Sequence, residues 1–275
     1  MADEKDALAI GVAVATELTK DAYMDVIHPA AAATGQILGL IPQAINVALM
    51  PVHQWVAEGY YKLDETKKIL AEKLKNVPPN EVVSPKPHIA IPVLQAISYS
   101  MDNEEIRNMY ANLLASSMQE KVKQDVHPAF VEIIKQLSPD EARILKFLNS
   151  TKESQPMIAL QLEKERGGGW YDLINHFTIL YRIVPDIEYK DYRKVSILLD
   201  NLSRQNLIVI HENNHLIDSN KYDALEKDPI IVNYMSQTVP NLKWKIARKI
   251  FELTSFGMSF CRICIADPTE PKEVQ

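Results

Sequence analysis

Tyr192-Arg-Lys-Val-Ser-Ile-Leu-Leu-Asp-Asn-Leu-Ser-Arg204, followed after Gln205-Asn206 by Leu207-Ile-Val-Ile-His211, reads as a helix running into a strand. Tyr192, Val195, Leu198, Leu199 and Leu202 recur at three- and four-residue steps, the period of one helical face, before β-branched residues take over. Glu212-Asn-Asn-His215 and Leu216-Ile-Asp218 then read as a turn and a returning strand, so 207–218 is expected to form a hairpin around Asn213 and Asn214. Toward the N-terminus, Ser138-Pro-Asp-Glu141 combines an N-cap, a proline at the first helical position and early acids, and starts a helix from Pro139 to Leu148. Pro156 to Arg166 follows, then Gly167-Gly-Gly169 as a flexible connection and a mixed stretch to Asp186. Helix, helix, helix, hairpin is the winged-helix order, with Leu199, Leu202, Leu207 and Ile208 as the third helix entering the wing. Leu242 to Thr254 reads in part as strand and Ser255 to about Ile265 as the last helix. A winged-helix-like α+β part is therefore expected over 138–266, with 267–275 a flexible tail.

The preceding half reads as mainly α. Leu8, Val12, Ala15, Leu18, Ala22 and Val26 keep helical spacing, and a second long pattern runs from Ile37 to about Lys75. Asn76-Val-Pro-Pro-Asn80 and Val83-Ser-Pro-Lys-Pro87 cannot be crossed by a helix. The expected organisation is an apolar helical arm over 1–77, a proline-rich linker over 78–88 and a helical region over 89–137. Within that region Asp102 or Asn103 caps a helix to about Lys123, with Ile106, Met109, Tyr110, Leu113, Leu114 and Ser117 on one face.

The chain has 275 residues, 47% apolar and 24% charged, with only 8 glycines, which excludes disordered, collagen-like and low-complexity classes. Its net charge of -6 creates no global field for nucleic acid or anionic lipid, so any such binding must be local. The opening Met1-Ala-Asp-Glu-Lys-Asp6 lacks the basic start of a secretory signal, and the 2 cysteines give no disulfide framework. A cytoplasmic location, with access to the inner face of the cell membrane, is the expectation.

One segment departs from this ordinary composition. Val26 to Ala57 is 32 residues without Asp, Glu, Lys or Arg, where roughly eight charges would be typical. Pro29, Pro42 and Pro51 make it a poor constitutive membrane span. On a helix, Gln36, Gly39, Gln43, Asn46, Met50, His53 and Gln54 form a narrow uncharged stripe, while Ile37, Leu38, Leu40, Ile41, Ala44, Ile45, Ala48, Leu49 and Val52 cover the rest. Gly35 and Gly39 form a small-x-x-x-small pair that allows close helix approach. Three readings stand: a core helix of a bundle or oligomer, a segment that inserts into a bilayer after a trigger, or a docking surface for a partner protein. Under the last two, Ile37, Leu38, Leu40, Ile41, Ile45, Leu49 and Trp55 make the contact.

Catalytic signatures are sparse. His211-Glu-Asn-Asn-His215 matches the zinc-protease pattern H-E-x-x-H, and a zinc hydrolase using His211, Glu212 and His215 is an alternative. In the expected hairpin, however, the two imidazoles point to opposite faces, so no metal site is expected. Cys261-Arg-Ile-Cys264 has redox spacing but sits inside an apolar helix, which favours two core thiols. Gly167-Gly-Gly169 lacks the Lys-Ser/Thr of a phosphate loop. No cofactor is implied. Arg193, Lys194 and Arg204 on the candidate recognition helix are the residues for a nucleic-acid contact, though Asp186, Glu188, Asp191 and Asp200 interleave with them, which also suits a protein-docking regulator.

Val131-Glu-Ile-Ile-Lys-Gln-Leu-Ser-Pro-Asp-Glu-Ala-Arg-Ile-Leu-Lys-Phe-Leu148, the Leu-Ile hairpin and Glu252-Leu-Thr-Ser-Phe-Gly-Met-Ser-Phe-Cys261 together resemble the bacterial abortive-infection alpha family over about residues 85 to 265. Asn108-Met-Tyr-Ala-Asn-Leu-Leu-Ala-Ser-Ser117 adds to the likeness. The resemblance implies a role in defence against bacteriophage, in which an infected cell stops growing or dies before phage are released. It brings no catalytic residues. The combined expectation is a non-enzymatic defence protein, working as a homo-oligomer or with a partner protein, and acting on membranes through segment 26–57.

Overall fold

A computed structural model describes residues 40–56, 63–100, 103–164 and 168–266. The chain divides into two compact units, one of residues up to Leu137 together with those from Ile263 on, the other Ser138–Arg262. The helical pattern from Leu8 to Val26, the residues Gly35, Ile37, Leu38 and Gly39, the side chain of Trp55 and the tail 267–275 lie outside the described residues.

In the first unit, helices α1 (Leu40–Val56), α2 (Leu63–Leu74), α3 (Pro87–Tyr99), α4 (Glu104–Ser117) and α5 (Ala129–Lys135) pack together. Helix α4 is central: every residue from Met109 to Ser117 is buried. Asn103 starts it by accepting a 3.0 Å hydrogen bond from the Ile106 amide, the capping that leaves fewer orphan donors at a helix start. Two of its buried polar side chains reach the returning C-terminal segment, a π-helical turn over Cys261–Ile265. Asn112 Nδ2 donates to the Cys264 carbonyl at 3.0 Å and Ser116 Oγ to that of Ile263 at 3.3 Å. Side chains that find partners in this way are tolerated in a core.

The proline-rich stretch is not a boundary between compact units. It lies inside the first one, where Pro79–Glu81 makes a single 3₁₀ turn and the Val83 amide donates to the Met118 carbonyl at 2.8 Å, pinning the stretch beside the end of α4. Proline excludes helix here without making the chain a free linker.

The second unit is α+β. Helix α6 (Pro139–Thr151) opens with a capping box: the Ser138 amide donates to Glu141 Oε2 at 2.6 Å and the Glu141 amide returns to Ser138 Oγ. Then come strands β1 (Gln155–Lys164) and β2 (Trp170–Phe177), a short helix α7 (Leu180–Ile183), helix α8 (Tyr192–Arg204) and strand β3 (Ile208–His211). Helices α9 (Asp223–Glu226) and α10 (Pro229–Met235) lead to the long strand β4 (Leu242–Leu253) and helix α11 (Ser255–Phe260). The strands form one antiparallel sheet in the order β2-β1-β4-β3.

This corrects the winged-helix order. The run Pro156–Arg166, expected as the second element of a helical triplet, supplies β1, because its near-continuous apolar sequence is equally suited to a strand buried between two neighbours. Strand β3 does not turn back through Asn213 and Asn214. It pairs with β4, Ile208 opposite Leu253 and His211 opposite Ile250, and residues 212–218 form no strand. The apolar face of α8 is as read: Tyr192, Val195, Leu198, Leu199 and Leu202 are all buried.

Candidate functional site

Helix α1 holds the described part of the charge-free segment. Ile41, Ala44, Ile45, Ala48 and Leu49 are buried, whereas Pro42, Gln43, Asn46 and Met50 face outward. The amphipathic assignment is therefore the observed one, but its apolar side is interior. Ile41, Ile45 and Leu49 pack in the first unit and are not available as an exposed contact surface, a correction that follows from the need to bury a broad apolar stripe. Leu40, at the helix start, is half-buried. The outward face remains unusual, since a surface helix ordinarily carries charges there. No helix among the described residues is long and apolar enough to cross a membrane.

His211, Glu212 and His215 do not converge on a metal. The helix such a site requires is replaced by the end of β3 and a turn, and among the described residues no group of three or more ligands is placed to hold a metal ion. His211 Nε2 lies 3.1 Å from Glu252 Oε1, and Ser154 Oγ donates to the other carboxylate oxygen. The Ser154 hydroxyl and His211 hold the Glu252 carboxyl below its ordinary range. With the carboxylate between serine and histidine, the imidazole has no route to activate the hydroxyl, unlike the order of a hydrolytic triad.

Glu212 has a different task. The Lys249 side chain on β4 is only 4% exposed and its ammonium pairs with Glu212 while donating to Asn175 Oδ1 at 2.8 Å. His176 sits between Asp200, 2.7 Å from its Nδ1, and Glu212, 3.8 Å from its Nε2. A buried ammonium requires such partners, so this cluster fastens β2, α8 and the turn after β3 to β4. The sequence pattern H-E-x-x-H gave no sign of it, because Lys249 lies far along the chain.

Arg193, Lys194 and Arg204 do not form one cationic patch. Arg193 and Lys194 stand at the start of α8 against the rings of Tyr192 and Tyr189, at 5.6 and 4.7 Å, while Arg204 binds Asn201 Oδ1 at 2.7 Å at the other end. Eleven residue steps along the helix set Arg204 about 16 Å from Arg193. Asp200 lies on the stripe between them, turned toward His176. Cys261 and Cys264 are buried, and burial pushes the Cys261 thiol up to about 12, the opposite of a reactive thiol.

The end of the sheet presents a feature that sequence reading missed. Trp170, Tyr171 and Leu173 on β2 are 56%, 57% and 46% exposed. Lys245 Nζ lies 5.8 Å from the Trp170 ring centroid and Lys164 Nζ 5.6 Å from that of Tyr171. Lys243 is exposed opposite Glu163, which is itself the neighbour of Trp170. Aromatic residues beside a glycine run carry no sequence mark that tells an exposed hairpin end from a core strand.

These features define a two-part protein: a helical unit built around α4 and holding an uncharged amphipathic helix, and an α+β unit built on a four-stranded antiparallel sheet. The profile of the abortive infection alpha family matches residues 58–264, and the chain belongs to that family. No curated protein matches it. Among solved structures, a protein from the hydrocarbon-degrading marine bacterium Alcanivorax borkumensis SK2 aligns at 19% identity and a TM-score of 0.35, covering 50% of this chain and 92% of that one.

Proposed function

We propose that this chain defends bacteria against phage by abortive infection, without catalysing a reaction, by acting on the inner face of the cell membrane. Membership of the abortive infection alpha family supports the defence role. The observation that carries the membrane mechanism is the outward face of α1, where Pro42, Gln43, Asn46 and Met50 supply no charge to a helix whose other face is already apolar. Released from the helical unit, such a helix has nothing to keep it out of a bilayer interface. At 17 residues it falls short of the roughly 20 needed to span, so it enters the hydrocarbon part-way with both faces below the headgroups, which a helix bearing charges there could not do.

The test is dye leakage from vesicles of phosphatidylethanolamine and phosphatidylglycerol, with purified protein and an extract of phage-infected cells. Wild type is expected to release the dye. Gln43→Lys/Met50→Lys changes only outward positions, so folding is expected to move by no more than about 0.5 kcal/mol. Each lysine nevertheless adds roughly 2.5–3.5 kcal/mol to placing the helix in lipid, and leakage is expected to fall more than 100-fold, about 3 kcal/mol or more at this scale. Undiminished leakage from the double variant overturns the mechanism.

A further inference from the structure

We infer that the free end of the sheet in the α+β unit is an anchor for anionic phospholipid. The inference shares the membrane with the reading above but rests on different residues. Trp170 and Tyr171 are adjacent on β2, so their rings leave opposite sides of the sheet, and both are more than half exposed. Register sets Trp170 beside Glu163 and Lys243, and Tyr171 beside Leu162 and Trp244. Leu173 projects close by on β2 and is also exposed.

Aromatic rings on both sides of one hairpin end select the kind of partner. A single strand of nucleic acid stacks on one face of such an end and leaves the other wet. A bilayer interface receives it from all sides, and Trp and Tyr are the side chains that favour that depth. The charges agree. Lys164, Lys243 and Lys245 surround the rings, while Glu163 lies 3.5 Å from Lys245 and Asp172 accepts from Gln161 Nε2 at 2.7 Å. Long lysine stems lie along apolar surface and raise their ammonium groups to the phosphate level. The Gly169 carbonyl accepts from the Lys164 amide at 3.2 Å, and backbone groups of the turn without such a partner find water at headgroup depth, which an interfacial but not a spanning position permits.

Co-sedimentation of the full chain with vesicles, without any phage extract, tests this. Wild type is expected to pellet with phosphatidylglycerol-containing vesicles and to stay in solution with pure phosphatidylcholine. Trp170→Ser/Tyr171→Ser is expected to weaken binding at least tenfold, and Lys243→Gln and Lys245→Gln about fivefold each, with circular dichroism unchanged because all four side chains are exposed. The inference is overturned if wild type pellets with neither vesicle or equally with both. It is also overturned if the variants pellet like wild type, or if the same substitutions abolish binding to a dT oligonucleotide and spare the vesicles. Loss of pelleting by the anchor variants upholds the anchor, and leakage that persists in them shows only that the α1 mechanism does not need it. Pelleting that persists when Gln43→Lys/Met50→Lys no longer leaks leaves the anchor in place, and leakage undiminished in that variant removes the α1 mechanism alone.

Discussion

Replacing Gly257 with alanine is expected to lower the melting temperature by roughly 10 °C. A Cβ on Gly257 would stand 1.9 Å from the Leu207 carbonyl oxygen and 2.8 Å from its carbon, both backbone atoms that no rotamer change can move. The crowding arises because α11 begins where the chain crosses the entry to β3. The Thr254 amide donates to the Leu207 carbonyl at 3.0 Å, and Thr254 Oγ1 donates to that of Asn206 at 2.6 Å and accepts from the Gly257 amide at 2.8 Å. Relieving the clash therefore loosens the cap of α11 and the pairing of Ile208 with Leu253 together, a loss of about 3 kcal/mol or more. Thermal unfolding followed by circular dichroism measures it. A midpoint within about 2 °C of wild type would show that this crossing does not hold the unit together.

The second large effect is expected for Asp140→Ala. This carboxylate, 3% exposed, accepts from the Glu188 amide at 2.9 and 3.0 Å, from the Tyr189 amide at 2.9 Å and from Arg143 Nη1 at 2.7 Å. It clamps the loop before α8 to the first turn of α6. Alanine leaves two amides without their acceptor and a mostly buried guanidinium without its main partner, at about 3–4 kcal/mol. Urea unfolding should show the midpoint falling with little change in slope, and hydrogen exchange should show lost protection at the Glu188 and Tyr189 amides. Unchanged protection there would contradict the clamp. Asp140→Asn keeps one acceptor and is expected to lose about half as much.

Local chemistry was legible in the sequence and long-range pairing was not. Ser138 and Glu141 form the capping box that their spacing dictates, Asn103 caps its helix, and the five apolar residues of α8 are the buried ones. Each of these depends on residues within one or two turns. The run from Pro156 does not declare its class, because a strand buried on both sides and a buried helix share the same apolar composition. Local turn signals assign strand β3 a neighbouring partner, whereas its pairing is with β4, Ile208 with Leu253 and His211 with Ile250, far along the chain. The candidate sites divide in the same way. The uncharged stripe of α1 is visible in one dimension, since Gln43, Asn46 and Met50 follow helical spacing. Which side of that helix is buried depends on the helices it meets. The pairing of Glu212 with Lys249 and the exposure of Trp170 and Tyr171 are products of sheet assembly, and nothing near them in sequence announces either.

Dye entry into living bacteria through a phage infection tests the central claim, that the charge-free face of α1 turns infection into membrane failure. A dye that cannot cross an intact bilayer is expected to enter cells making the wild-type chain before phage are released, with few infectious particles recovered. Cells making Gln43→Lys/Met50→Lys at equal abundance are expected to exclude the dye and release a full burst. Protection and dye entry that are the same in both would contradict the account.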